Sequence, residues 1–132
     1  SDIYVIDAAS ERVIGSLGIA ASEMCIDDDR LYIISTEWSY TSQSNEVSYA
    51  VYDTAEQRIV SRNFITDGTD REIVLPYGVA VNPETKELYV CDATNYVTPG
   101  YLYCFSPEGE FRWRVRTGDI PAHIAFSPEP FY

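Results

Sequence analysis

The chain has 132 residues, 45% hydrophobic and 14% aromatic. That is the length and apolar content of one ordinary domain with a filled core, which excludes a disordered segment. No apolar run reaches the roughly 18 residues of a helical membrane span, and no basic-then-apolar leader stands before the first apolar strand. The formal charge of −12 is spread over turns and strand ends, which argues against nucleic acid and anionic membrane surfaces as partners.

In chain order, residues 3–7 and 12–17 read as strands around a turn at 8–11, because β-branched and aromatic residues flank turn formers. Strands at 23–26 and 31–35 follow, around the turn Asp27-Asp-Asp-Arg30. A long polar loop is expected at 36–46, then strands at 47–53 and 58–64 around a turn at 54–57. A connection at 65–72 leads into a strand at 78–81, a tight turn built on Asn82-Pro83-Glu84-Thr85, and a strand at 88–92. Next come a loop at 93–100, strands at 101–105 and 110–116 around a turn at 106–109, and a last strand at 120–126 with a turn at 127–130. No helix of three turns is expected.

Equivalent positions recur. Asp7, Asp53 and Ser106 close one kind of strand, and Ile26, Val81 and Phe126 sit in another, at intervals of roughly 45 to 55 residues. Four strands per such period is the mark of a β-propeller, in which each blade is a four-stranded antiparallel sheet. With strands lettered a to d from the centre outward, the chain reads cd, abcd, abcd, ab. The fold class expected is therefore all-β, a propeller segment of about three blades: a half blade at 1–17, blades at 18–64 and 65–116, and a half blade at 117–132. Three blades cannot close a ring. Completion is expected from sequence beyond this segment or from a second copy whose half blades pair with these.

Cys25, Cys91 and Cys104 fall within apolar strand patterns without a C-x-x-C spacing, so buried free thiols are expected. Cys91 and Cys104 lie on neighbouring strands but out of register, which disfavours a bridge.

Thr117-Gly-Asp-Ile-Pro-Ala-His-Ile-Ala-Phe-Ser-Pro128 resembles the signature of YVTN-type propeller repeats, a Gly-x-x-Pro segment joined to a Val-Ala-Val-Ser-Pro-like strand. Pro76-Tyr-Gly-Val-Ala-Val-Asn-Pro83 with Leu88-Tyr-Val-Cys-Asp92 is similar to that signature and to NHL repeats. Ile3-Tyr-Val-Ile-Asp-Ala-Ala-Ser-Glu-Arg-Val-Ile14 and Tyr49-Ala-Val-Tyr-Asp-Thr-Ala-Glu-Gln-Arg-Ile-Val60 resemble the hairpin that follows it. The likeness weakens at Ala20-Ala-Ser-Glu23, which lacks the proline and glycine. The acidic, Tyr-rich character also resembles uncharacterised surface propellers of Bacteroidetes, which implies a cell-envelope or extracellular location.

Short turns are expected at one end of the blades, and long loops with the inter-blade connections at the other, where function is sought. The long loops carry Trp38, Tyr40, Asn45, Asn95 and Tyr96, while Tyr77 and the only histidine, His123, stand near the mouth of the central channel. Rings beside amides and hydroxyls can stack on a sugar or a peptide, or they can pack the loops down onto the blade. A non-catalytic binding or scaffold role for a glycan or protein ligand is the first reading, with no catalytic residue, metal or cofactor assigned. The alternative is a metal-dependent, lactonase-like hydrolase. Resemblance to propeller lactonases implies acidic groups at the channel mouth, where Glu37, Glu72, Asp92 and Asp119 stand beside His123. Asp92, like Asp7 and Asp53, can equally end a strand by capping a turn. Asp27, Asp28 and Asp29 read as a solvated turn. Arg112, Arg114 and Arg116 read as a solvated face that protects a sheet edge.

Overall fold

The computed structural model describes residues 2–128, and in it the β-branched and aromatic runs form three antiparallel sheets of two, four and four strands. β1 (Asp2–Asp7) and β2 (Arg12–Ala20) make a hairpin. β3 (Glu23–Asp27), β4 (Arg30–Ser39), β5 (Ser44–Asp53) and β6 (Arg58–Ser61) make the second sheet, each strand beside its sequence neighbour. β7 (Pro76–Val81), β8 (Leu88–Asp92), β9 (Pro99–Phe105) and β10 (Phe111–Asp119) make the third in the same way. The first strands of the two large sheets, β3 and β7, lie side by side. The protein is all-β; the described residues form no closed ring.

One face of the second sheet stacks on one face of the third. Ile34, Tyr49 and Val51 meet Val81, Leu88, Val90, Tyr103 and Phe105 in one core cluster. Three consecutive residues are buried in β4 (33–35), in β8 (90–92) and in β9 (103–105), as expected where sheets are covered on both faces. A fully buried apolar side chain of this size is worth about 1.5–3 kcal/mol, so the interface between the sheets dominates the stability of this region.

The strand expected at 58–64 ends at Ser61. The chain then folds under β5, with Phe64 N–H donating to the Tyr49 carbonyl at 2.9 Å, and Phe64 and Ile65 enter the gap between the sheets. The Phe64 ring sits edge-on to Tyr32 and Tyr49, with centroids 5.7 and 5.4 Å away. Burying this ring is worth more than extending a ladder by three residues. The connection therefore does not keep to the long-loop end. Thr66 donates to the carbonyls of Gly109 and Glu108, both at 2.9 Å, beside the short turn after β9. Gly109 is required there, because its φ is +87° and an added Cβ would strike the Phe64 carbonyl. Asp67 then accepts from Phe111 N–H at 2.8 Å; that bond, and next the Thr69 hydroxyl, hold its carboxyl below the usual 3.8.

The long polar loop expected at 36–46 is strand. β4 and β5 continue their ladder through Thr36↔Val47 and Trp38↔Asn45 to Ser39↔Ser44, and the reversal takes only residues 40–43, with Gln43 at φ +53°. Polar side chains hid this hairpin, since it carries neither glycine nor proline and is largely exposed between Glu37 and Glu46.

The strand expected at 120–126 is irregular backbone instead. No described strand runs beside it to supply a ladder. It lies across the third sheet, where the Ala122 carbonyl fits against Gly78 because that residue has no Cβ, and Phe126 packs on Tyr89 at 5.3 Å. Residues 129 and 130 of the turn expected at 127–130, and the two that follow, lie outside the described residues.

Candidate ligand-binding site at the long-loop end

Asp92 closes β8 and is only 2% exposed. Its carboxylate accepts from the backbone N–H groups of Val74 (3.1 Å), Leu75 (2.9 Å) and Thr94 (2.9 Å). One side chain thus ties down both the end of the inter-sheet connection and the start of the β8–β9 loop. Three donors on one buried carboxylate satisfy it without a cation.

The loop it anchors is built from its own side chains. Asn95 Oδ1 accepts from Val97 N–H at 3.1 Å, Thr98 N–H at 2.9 Å and the Thr98 hydroxyl at 2.9 Å, and Tyr96 N–H donates to the Ala93 carbonyl at 3.0 Å. Thr94 and Tyr96 both take left-handed backbone angles, φ +54° and +69°. Such angles cost a non-glycine residue on the order of 1–3 kcal/mol and persist only where the surroundings impose them. The result is a fixed aromatic corner. Tyr96 stands edge-on to Tyr77 at 5.6 Å and 87°, keeps 47% of its surface exposed, and is followed by the exposed Val97.

Of the residues expected to bind a ligand, the structure brings Tyr77, Asn95 and Tyr96 together. Asn95 serves the loop, since its amide oxygen is committed three times over. Trp38 is 53% exposed and Tyr40 more so, on the β4–β5 hairpin with Asn45 opposite Trp38. Among the described residues no ring contact joins them to Tyr77 or Tyr96, so they form a second, separate patch. His123 is exposed, one residue beyond the Ala122 carbonyl that lies on Gly78.

The acidic set expected at a channel mouth is not assembled. Among the described residues no three His, Cys, Asp or Glu side chains stand close enough to share an ion. Asp92 is spent on backbone N–H groups, Glu37 faces Glu46 across the ladder, and Asp119 faces Pro99.

The three thiols are free. Cys104 lies opposite Tyr89 and Cys91 opposite Leu102, two residues out of register, so the two thiols are not paired. Burial pushes Cys25, Cys91 and Cys104 each up to about 11, which keeps them protonated and poor nucleophiles.

Sequence reasoning missed one contact between the two large sheets. Lys86, the chain's only lysine, reaches from the β7–β8 turn to Asp27 at 2.8 Å and Asp28 at 3.1 Å in the β3–β4 turn. The aspartate turn is therefore a clamp between neighbouring sheets. A lone lysine in the turn equivalent to three aspartates was the available signal.

No protein-family model matches the chain, and no curated protein matches it.

Proposed function

We propose that this chain is part of a YVTN/NHL-type β-propeller that serves as a non-catalytic binding module of the cell envelope, taking a glycan or protein ligand at its long-loop end. The single observation that carries this reading is the Tyr77–Tyr96 corner, held half-exposed by a strained loop that Asp92 and Asn95 pin in place. A rigid exposed ring offers contact area at little entropic cost, and the loop meets that cost before any ligand arrives.

The propeller assignment is supported by the meander order of the two large sheets, the adjacency of their first strands and the repeat period. Exposed apolar residues on β3 (Met24, Ile26) and on the first hairpin (Tyr4, Ile6, Val13) are those a neighbouring blade would cover, from adjoining sequence or a second copy.

The test is a glycan and peptide screen on the intact chain, followed by Tyr96→Ala and Trp38→Ala. Tyr96→Ala should weaken the ligand about tenfold or more, the loss typical of an aromatic anchor, while the unfolding midpoint stays near that of the parent. Unchanged affinity in both variants would remove the assignment.

A further inference from the structure

We propose that the outer edge of β10 binds an extended acidic segment of a partner protein as an added strand. This surface is separate from the Tyr77–Tyr96 corner and does not rest on it.

β10 runs for nine residues, with register shifts at 111–113 and 116–119, and pairs, among the described residues, with β9 alone; apart from Phe111 N–H, which donates to Asp67, its outer row of backbone N–H and C=O groups has no strand partner. Nearly its whole length is exposed. On one face, the guanidinium carbons of Arg114 and Arg116 lie 4.6 and 6.0 Å from the centre of the Tyr101 ring, and Arg114 donates to the Tyr103 hydroxyl at 3.1 Å. The Tyr101 ring holds both cations near the strand, and the hydrogen bond to Tyr103 adds to this for Arg114.

Their charges are uncommitted. Lys86, Arg30, Arg58 and Arg112 each meet a carboxylate within 4 Å, the last through Glu87 at 3.4 Å, whereas Arg114 and Arg116, like the scattered Arg12, Arg62 and Arg71, meet none among the described residues. Glu72 acts on Arg114 only from beyond that distance. In a chain with 21 acidic and 9 basic residues, two neighbouring free arginines mark a surface that selects carboxylates. On the opposite face of the same strand, Trp113 is 40% and Val115 49% exposed.

Edge protection explains the arginines but not the exposed surface of Val115 or of Trp113, whose ring packs on one side against Tyr89 at 5.9 Å. An acidic glycan would use the arginines and Tyr101 yet leave both the backbone edge and the apolar face idle. An incoming strand that alternates acidic and apolar residues uses all three: backbone pairing, carboxylates beside Arg114 and Arg116, and apolar side chains beside Trp113 and Val115. The chain's overall negative charge selects a partner whose acidity is confined to that strand.

The probe is a capped octapeptide alternating glutamate and valine, titrated into the intact chain by calorimetry. It should bind, and the R114E/R116E double variant should lose at least tenfold in affinity. N-methylating alternate peptide residues should abolish binding to the parent chain, an arm that needs no variant to fold. Absence of binding, equal affinity for a scrambled peptide of the same composition, or full affinity of the N-methylated peptide would overturn the proposal. So would polygalacturonate binding that depends equally on both arginines.

Discussion

Phe64→Ala is expected to lower the unfolding free energy by ~3–5 kcal/mol, the range for deleting a buried aromatic ring. Phe64 is the side chain that closes the gap where β6 stops short, and it touches both Tyr32 and Tyr49 edge-on. Its backbone bond to Tyr49 would survive the substitution, so the loss reports the ring and not the turn. Urea unfolding followed by tryptophan fluorescence reads the effect, and Phe64→Leu should recover most of it. A cost near zero for the alanine variant would mean that the two large sheets are not stacked through this residue.

Asp92→Ala is expected to cost about 3 kcal/mol or more, because three backbone donors lose their acceptor and each buried orphan is worth ~1–3 kcal/mol. The damage should spread to both segments the carboxylate joins, the end of the connection at 74–75 and the loop at 93–98. Asp92→Asn keeps one acceptor oxygen but turns an NH₂ toward one of the donors, so it should fall between the parent and the alanine variant. Parent-like stability of Asp92→Ala in chemical denaturation would contradict the geometry.

The all-β class and most strands were legible because strands and turns are written in local residue types: Ile3 to Asp7, Glu23 to Ile26 and Leu88 to Asp92 fall within a residue of the observed β1, β3 and β8. What failed depended on contacts distant in sequence. Residues 62–64 have the propensity of a strand, but the gap between sheets claimed Phe64. Residues 120–126 have the pattern of an inner strand, yet no described neighbour offers a ladder. The polar hairpin beyond Thr36 was missed because its register is set by pairing with residues 44–47 and not by apolar alternation.

The site was legible only in part. Loop position and aromatic content singled out Tyr96 and Asn95, whereas the pairing of Tyr96 with Tyr77 comes from two left-handed residues that composition does not announce. Asp92 was readable either as a strand-ending cap or as a ligand to an ion; its three backbone donors make it the cap.

The central claim is that the loop at 93–98 is built before any ligand binds. Amide hydrogen exchange on the free protein tests it most directly, residue by residue. Thr94, Val97 and Thr98 donate to Asp92 or Asn95, so their amides should exchange roughly tenfold or more slowly than in an unstructured chain. Exchange of all three at the unstructured rate would show that Tyr96 is not held against Tyr77, and the binding corner would not exist in the free protein.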